Sequence, residues 1–449
     1  MGIIGSSFEK LEGWMGSFTI EVFASTLKKE WIDQALEKTG RATQRERKLT
    51  AVFTVWLAIA MGFYRNLSIQ NILNRMGNVP GVGSLWEDGK EPTSGSTVEA
   101  RTRVGFGPLR ELVETLRQWI LDTYRESMSW KGWLLLDLDG TTFKLPDSDQ
   151  NRHRFGLPGS SRGRAAFPQM RALFLVSARL RFILGALFAP YGRGELPLAL
   201  RMLSLIPQRT LLILDRYFNA WQFLLGIREA GNQFLIRARK GMKGRILSVL
   251  GPGDRLIEMK IPRALRRSFP SMPKAVLIRE LTVHIKGKPY RFFTSLLDAQ
   301  VYSAVELVFR YAERWQEEIA IDEIKTHQCG ASTVNRPVMI RSKSSRRVLQ
   351  EAYGLVLAFN LVRILMTQAA LKANVPPLRI SFVDSLERIR SAALLMAAAR
   401  TPLLPAIFED LLYSIAQCIL PKRKHRENPR EVCIKMSSYL LKKKPKEAA

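Results

Sequence analysis

The spacing of apolar positions predicts a helical first quarter of the chain, a middle built mainly of strands, and a helical end. The apolar stretch over residues 51–64 predicts a buried helix, and residues 108–128 predict an amphipathic one. Between them, a segment rich in Gly, Pro and Ser predicts a loop before a helix that begins at Ser96 or Thr97. We therefore expect a helical domain over residues 1–125.

Two short apolar runs in the middle of the chain each end in an aspartate. The first, WLLLDLDG, leads into a turn at Asp139, and strand alternation places Asp137 and Asp139 on one side. The second is the run LLIL over residues 211–214, and Asp215 follows it directly. Because sites in open α/β sheets gather at the carboxyl ends of strands, Asp139 and Asp215 are expected to lie close together.

Basic residues surround this predicted sheet. Between Gln150 and Gly194 there are eight arginines and no Asp or Glu, so a phosphate backbone could lie along its edges. After the second aspartate, short apolar runs with basic turns predict four strands, over residues 234–238, 255–261, 275–284 and 290–295.

The stretch YAERWQEEIAIDEIK, residues 311–325, has a helical apolar period and no Pro or Gly. On an ideal helix, Arg314, Glu318 and Lys325 fall within roughly 60° of Tyr311. Trp315 lies on an apolar flank beside them. Arg and Lys neutralise phosphate oxygens, Tyr donates a hydrogen bond and Glu ligates a divalent cation, so this face is suited to holding a phosphodiester beside a metal.

Each of these features also has an ordinary structural interpretation. Amphipathic helices often carry charges, and Arg314 with Glu318 is a common i, i+4 pair. Asp139 before Gly140 is typical of a turn, and Asp215 could pair with a neighbouring arginine. The functional interpretation depends on the three carboxylates meeting in the fold.

The overall charge indicates an extended polyanion as partner. The 449 residues include 69 Lys plus Arg against 40 Asp plus Glu, a net charge of +29. Nucleic acid is the simplest such partner, and an anionic membrane surface is the alternative. We expect no apolar run to reach the roughly 18 residues that a membrane span needs. The N-terminus also lacks the pattern of a secretory signal.

Composition also limits the cofactors. The three cysteines are scattered, which is typical of a reducing cytosol. The four histidines are far apart in the sequence and form no cluster with the cysteines, so no zinc site is expected. A catalytic metal would then have oxygen ligands, which favours Mg²⁺ or Mn²⁺. No phosphate-binding G-x-x-x-x-G-K-S/T loop is present, so no nucleotide cofactor is expected. Asp139, Asp215 and Glu318 are the candidate ligands, able to surround two cations about 4 Å apart.

At this point the chain resembles a known family, the DDE transposases of bacterial insertion sequences, in the subgroup with a Tyr-Arg-Glu-Lys signature. The signature residues Tyr311, Arg314, Glu318 and Lys325 have the spacing Y-x2-R-x3-E-x6-K. LDLDGTTFKLPDSDQN and LLILDRYF resemble the two aspartate motifs of the family. The turn RSKSS and the tail segment NPREVCIKMSSY extend the resemblance over most of the chain.

This resemblance implies a fold and an activity. The fold would be a mixed α/β ribonuclease H-like core over residues 126–345 with a β-rich insertion at about 225–300, followed by a helical region with a basic tail over 346–449. The activity would be Mg²⁺-dependent cleavage of double-stranded DNA at transposon ends and transfer of the 3′-hydroxyl to target DNA, by a homodimer on DNA in the bacterial cytoplasm. Metal ligands would be Asp139, Asp215 and Glu318, and DNA contacts would include Tyr311, Arg314, Trp315, Lys325, Arg101, Arg103, Arg341 and Lys343.

Two alternatives remain open at this stage. One is a two-metal nuclease on the same fold, and the other is a domesticated DNA-binding protein without catalysis, although the intact acidic trio argues against the latter. Some family members stack a tryptophan of the insertion on a flipped base, but residues 222–300 contain no Trp. Tyr290, Phe292 or Phe293 are the aromatic candidates for that role.

Overall fold

The structure is a computed structural model. The basic-tail segment NPREVCIKMSSY lies outside the residues that it describes. The structure describes residues 23, 26–43, 48–79, 83–84, 86, 90–160, 163–285, 287–329, 340–399 and 401–421.

A ten-stranded mixed sheet forms the centre of the described structure. Nine of its strands are β1 (Trp133–Lys144), β2 (Gln169–Ser177), β3 (Ile183–Pro190), β4 (Thr210–Leu214), β5 (Gln233–Arg237), β6 (Arg245–Gly251), β7 (Asp254–Lys260), β8 (Ala275–Ile285) and β9 (Lys288–Thr294). The tenth is the two-residue segment Ser129–Trp130, which pairs with β1. The order of the nine across the sheet is β6-β7-β8-β9-β5-β4-β1-β2-β3.

Five of these strands make the core that holds the site. β1, β2 and β3 form an antiparallel meander, whereas β4 and β5 run parallel to β1 on its other side. All five residues of β4 are buried, and the four after Thr210 are apolar, as expected for a parallel strand covered on both faces. This mixed α/β arrangement confirms the predicted ribonuclease H-like core.

The β-rich insertion extends the same sheet. β9 pairs antiparallel with β5, and β8, β7 and β6 follow outward in turn. The four strands expected from the sequence are present within two residues of their limits, although the first of them, β5, belongs to the core. Two details differ: β6 was not expected, and the strand with Asp139 continues to Lys144 because it pairs with β2 where a loop was expected.

Helices cover the sheet and build the described parts of the chain before and after it. They are α1 (Lys29–Lys38), α2 (Ala51–Phe63), α3 (Ile69–Gly77), α4 (Ser94–Val104), α5 (Gly107–Tyr124), α6 (Asp149–Phe155), α7 (Glu195–Met202), α8 (Trp221–Glu229), α9 (Arg263–Ser268), α10 (Ala304–Ala312), α11 (Trp315–Asp322), α12 (Ser345–Lys372), α13 (Phe382–Ala398) and α14 (Leu404–Ala416).

The N-terminal helices pack directly on the long helix α12. A Cβ on Gly62 would lie 2.6 Å from Ala358 Cβ, and one on Gly354 would lie 2.3 Å from the Ala58 oxygen. The crossing of α2 and α12 therefore requires glycine on both helices. The start of α4 differs from the expectation, because Thr93 rather than Ser96 or Thr97 caps it and accepts the Ser96 N–H at 3.2 Å.

The helix α12 is long and apolar enough to cross a membrane by length and composition, so the expectation that no segment would reach this length is wrong. In the fold, 89% of its apolar window is buried inside the protein. Its apolar residues contact α2, α5 and α14, which makes it the central core helix of the helical part.

Candidate active site

Asp139 and Asp215 come from neighbouring parallel strands at the same level. Leu138 on β1 pairs with Leu214, the last residue of β4, so the next residue on each strand is an aspartate. β4 ends there because Asp215 begins a short 3₁₀ turn over Arg216–Phe218. The sequence prediction that these two strand ends lie together therefore agrees with the register of the sheet.

Glu318 lies on α11, but not on one uninterrupted helix as expected. α10 ends at Ala312, a turn follows, and α11 begins at Trp315. Glu323–Gln328 then continues as a π-helix, so Lys325 does not keep the helical register that the sequence suggested. Arg314, directly before α11, donates from Nη2 to Glu318 Oε1 at 2.7 Å.

Arg314 has an acidic environment beyond this single bond. Burial lowers its pKa, but the hydrogen bond to Glu318 and the charges of Tyr311 and Glu317 outweigh burial and raise the pKa overall. Arg314 also contributes favourably to the ionised forms of Asp137 and Asp139. This guanidinium is therefore a positive centre within the acidic group.

Asp139 is the carboxylate most clearly affected by its neighbours. Burial raises its pKa to about 6, whereas a hydrogen bond from the Gly140 N–H, with a donor–acceptor distance of 2.7 Å, lowers the pKa. The carboxylates of Glu195 and Glu318 raise it further. A cation placed here would favour the ionised form of Asp139.

Two further carboxyl groups lie fully buried beside the site. Asp137 and Glu317 are 0% exposed, and none of their four oxygens has a hydrogen-bond partner among the described residues. Burial is the largest cause of the raised pKa of both. The charge of Asp139 raises both pKa values further, and Asp137 also raises the pKa of Glu317. Sequence analysis recognised Asp137 on the Asp139 side but missed Glu317, because the turn before α11 directs Glu317 rather than Trp315 inward.

Glu195, at the first turn of α7, is another residue that sequence reasoning missed. A Cβ on Gly140 would lie 2.5 Å from Glu195 Cδ, so the Glu195 carboxylate rests on the backbone directly after Asp139. Arg171 Nη1 donates to Glu195 Oε1 at 2.6 Å and lies over the Tyr191 ring. The only sequence signal was a single Glu at the end of a long basic segment.

The donor set suits a hard divalent cation, although the side chains do not form a closed site. Among the described residues, no group of three or more His, Cys, Asp or Glu side chains is close enough to hold a metal ion. Glu318 has Arg314 on one oxygen, and a cation would compete for it. Carboxylate oxygens are the ligands that Mg²⁺ and Mn²⁺ prefer, and a cation would offset the burial that raises the pKa of Asp139. The residues therefore fit such an ion chemically.

The other signature residues occupy distinct environments. Tyr311 packs against the Phe292 ring at 4.6 Å, and burial raises its pKa to about 12, with Asp215 close enough to raise it too. Trp315 is 52% exposed. Burial lowers the pKa of Lys325, and the charge of Lys144 lowers it further. Tyr311 thus lies near Asp215 and Arg314, and Lys325 lies near Lys144.

The remaining residues predicted to contact DNA divide into buried and accessible ones. Arg101 is 2% exposed and donates to Gln350 Oε1 at 2.8 Å and Ser342 Oγ at 3.0 Å. Arg341 donates to the Leu67 oxygen at 2.5 Å and pairs with Glu351. Arg101 therefore links α4 to α12, whereas Arg341 links α2 and the segment after it to Glu351 on α12. These contacts within the protein do not support the prediction that the two arginines bind DNA. Arg103 is half-buried and Lys343 is exposed, so both remain accessible.

The aromatic candidates for base stacking are mostly inside the protein. Phe292 and Phe293 are buried, at 3% and 0% exposure. Tyr290 is half-buried, and the Arg237 guanidinium lies 4.8 Å from its ring centroid. Of the three, Tyr290 alone has an accessible ring.

Comparison with known proteins agrees with this geometry. Residues 17–114 match the family described as Insertion element 4 transposase N-terminal, and residues 130–361 match the Transposase DDE domain. A Transposase InsG for insertion sequence element IS4 from Escherichia coli (strain K12) is 29% identical over 415 residues, covering 90% of this chain and 89% of that protein. A Putative transposase InsZ from the same organism is 28% identical over 284 residues, covering 59% and 91%.

Among solved structures, the cryo-EM structure of the piggyBac transposase synaptic complex with hairpin DNA is similar over 92% of this chain and 87% of that one. Its TM-score is 0.42 at 11% identity, which is too weak to assign a site or a partner. The match to the DDE domain covers more than half of the chain and includes Asp139, Asp215 and Glu318. The chain therefore belongs to the DDE transposase family of insertion elements.

Proposed function

We propose that this transposase cleaves double-stranded DNA at the ends of its element and transfers the freed 3′-hydroxyl into target DNA. Asp139, Asp215 and Glu318 would hold divalent cations, with Mg²⁺ as the physiological ion and Mn²⁺ as a substitute. When bound, these ions would activate the attacking oxygen and stabilise the leaving oxygen of in-line displacement at phosphorus. The observation that carries this proposal is the register that brings Asp139 and Asp215 to adjacent strand ends.

The residues around the carboxylates have separate proposed roles. Arg314 carries the positive charge nearest to the acidic group and can present its guanidinium to the phosphate that is cleaved. The phenol of Tyr311 stays protonated at neutral pH, because burial raises its pKa to about 12, so it can donate a hydrogen bond. The exposed indole of Trp315 offers a surface on which a base can stack. Lys325 with Lys144 supplies charge to the adjoining backbone.

Contacts farther from the cleaved bond are assigned to accessible cations. Arg103 and Lys343 are proposed to bind DNA phosphates, whereas Arg101 is buried and the half-buried Arg341 is paired with Glu351. The same proposal includes a homodimer on DNA and a cytoplasmic location at the bacterial nucleoid. It also includes the division of the chain into units over residues 1–125, 126–345 and 346–449.

Cleavage of a labelled duplex tests the activity. The substrate would be a 60-bp duplex that carries the element's own terminal DNA, taken from the sequence flanking the gene. We expect nicking at the element end that needs Mg²⁺ or Mn²⁺ and stops with excess chelator. Nicking that continues in chelator would overturn the metal assignment.

Strand transfer separates the transposase from the nuclease alternative. A precut end with a free 3′-hydroxyl, incubated with supercoiled plasmid, should yield a covalent joint product. A two-metal nuclease would cleave the duplex but leave the plasmid unjoined. The family assignment does not favour the nuclease or a non-catalytic DNA-binding protein.

A further inference from the structure

A group of uncompensated cations lies on the β-rich insertion, away from the acidic site. Residues 260–274 contain five Lys or Arg and no Asp or Glu. We call the five side chains the insertion cleft, because they lie at or beside a surface cavity of about 610 Å³. They are Lys260, Arg263, Arg266, Arg267 and Lys274.

The charges of the insertion cleft are not neutralised within the described part of the protein. None of the five forms an ion pair with a described residue. The one carboxylate that lines the cavity, Glu258, already lies 3.3 Å from Arg245 Nη2. Four of the five side chains are exposed, and only Arg266 is half-buried, with its Nε donating to the Ile261 oxygen at 3.3 Å.

The insertion cleft rests on a fixed scaffold. Ile261 and Val276 are buried on either side of it, at 2% and 5% exposure. The Ile261 N–H donates to the Lys274 oxygen at 3.0 Å, which closes the segment between β7 and β8. Leu265 of α9 packs against the core, while the ring of Phe269 beside it is 43% exposed. Clustered cations with an accessible aromatic ring are typical of nucleic-acid binding.

Strand register gives the distance to the acidic site. Leu214 and Arg255 lie at the same level of the sheet, because successive strand pairings connect them. The paired residues in the intervening strands are Ile236, Phe293 and Glu280. β7 runs antiparallel to β4, so Lys260 lies six residues from the level of Asp215 and four strands across. At about 3.3 Å per residue and 4.8 Å per strand, the separation is about 28 Å, or about eight base pairs at 3.4 Å each.

We propose that the insertion cleft binds the phosphodiester backbone of the element-end duplex about eight base pairs from the cleaved bond. This assignment rests on the proposed function for the position of the cleaved bond, but backbone binding itself does not. The cleft would act through charge, holding the duplex in register without reading its sequence.

A triple variant tests the charge of the cleft. Lys260→Gln, Arg263→Gln and Lys274→Gln are combined, and Arg266 is kept because it bonds to the backbone. The matched control combines Arg201→Gln, Arg209→Gln and Arg228→Gln, three exposed cations outside the insertion cleft. Thermal melting checks that both variants fold.

Fluorescence anisotropy with the 60-bp element-end duplex, between about 50 and 200 mM KCl, measures the salt dependence of binding. Each lost phosphate contact should reduce the slope of log K against log salt by about 0.9, so the cleft variant should lose about 2.7. The control should keep the wild-type slope. Equal slopes for the two variants would overturn the proposal.

Ethylation interference locates the contact. Ethylated phosphates about eight base pairs from the nick should block DNA binding by the wild-type protein. The same modifications should not affect binding by the cleft variant. If the cleft variant has a reduced slope of log K against log salt with an unrelated duplex but not with the element-end duplex, the cleft binds target DNA. That result would overturn the assignment to the element end. Wild-type protein that binds but never nicks this duplex would reject the proposed function and leave the anisotropy result valid.

Discussion

Arg314 Nη2, in the turn that separates α10 from α11, lies 2.7 Å from Glu318 Oε1 on α11. The arginine side chain is 17% exposed and the glutamate 38%, so the pair is partly accessible. An ordinary surface pair of this spacing contributes about 0.3–0.5 kcal/mol to stability. Here the same guanidinium also stabilises the ionised forms of Asp137 and Asp139, so its position serves the acidic group as a whole.

Arg314→Lys separates charge from geometry. Lysine keeps the positive charge and can still pair with Glu318, but it cannot make a bidentate contact with a phosphate. We expect an unchanged melting temperature and a cleavage rate at least about tenfold lower, which corresponds to about 1.4 kcal/mol in the barrier. Single-turnover nicking measures the rate. Arg310→Lys, which alters the neighbouring Arg310–Glu313 pair, is the control. A wild-type nicking rate in Arg314→Lys would show that this arginine has a purely structural role.

Removing any proposed ligand should abolish cleavage while DNA binding persists. Asp139→Ala, Asp215→Ala and Glu318→Ala each remove an oxygen donor from the metal site but no phosphate contact. Binding could even tighten, because a carboxylate repels the DNA backbone. Gel shift and nicking on the same preparations measure both effects, and calorimetric titration with Mn²⁺ should show weaker metal binding. If one of these variants nicks at the wild-type rate, the substituted residue is not a metal ligand of the site.

Glu317→Gln should stabilise the protein at neutral pH. The unfolded chain ionises Glu317 near its ordinary pKa of 4.5, whereas burial raises the pKa in the folded protein. As pH rises above about 4.5, the unfolded chain therefore releases a proton that the folded protein retains, and the free energy of unfolding falls. Glutamine removes this loss. We expect a gain of at least about 1.4 kcal/mol at pH 7, the equivalent of one pKa unit, that shrinks towards pH 4.5.

Denaturant unfolding between pH 4.5 and 8 measures this difference. Glu229→Gln, on the exposed end of α8, serves as the control and should follow wild type at each pH. A Glu317→Gln variant that is less stable than wild type at pH 7 would indicate that the ionised carboxylate is stabilised, through Arg314 or through a cation.

Local sequence patterns were sufficient for the parts of the site that strands position. Asp139 and Asp215 follow apolar runs, and the end of a buried strand can be read from neighbouring residues alone. The orientation of the glutamate helix could not be read in this way. Ideal helical geometry placed Trp315 on the apolar flank, but the turn before α11 and the π-helix after it change the register, so Glu317 is buried and Trp315 is exposed.

Long-range contacts account for the other differences. Arginine is usually a surface residue, and only the fold shows that Arg101 meets Gln350 and Ser342 across the helical junction. β6 escaped recognition because it is an edge strand whose residues are mostly exposed, without the alternation that a half-buried strand has. Glu195 lies near Asp139 only because β2 and α7 bring it there.

Gly140→Ala should disturb the site through Glu195. The new Cβ would lie 2.5 Å from Glu195 Cδ, closer than real contacts allow, so either the carboxylate or the strand after Asp139 must move. Overpacking of this kind costs about 1–3 kcal/mol. We expect that loss in the free energy of unfolding, together with slower nicking, because Asp139 directly precedes the displaced residue. Gly192→Ala, where a Cβ has no atom within 4 Å, is the control and should behave as wild type.

The double variant Gly140→Ala with Glu195→Ala decides between the two causes of that loss. Glu195→Ala removes the atoms that the new Cβ meets, so Gly140→Ala should cost less in that background than in the wild type. A reduction of at least about 1 kcal/mol in the cost, within the 0.5–3 kcal/mol range typical of residues in contact, would confirm that the steric contact is responsible. Denaturant unfolding of the four proteins measures the coupling. An unchanged cost in both backgrounds would instead mean that Gly140 is needed for the backbone of β1 itself, independently of Glu195.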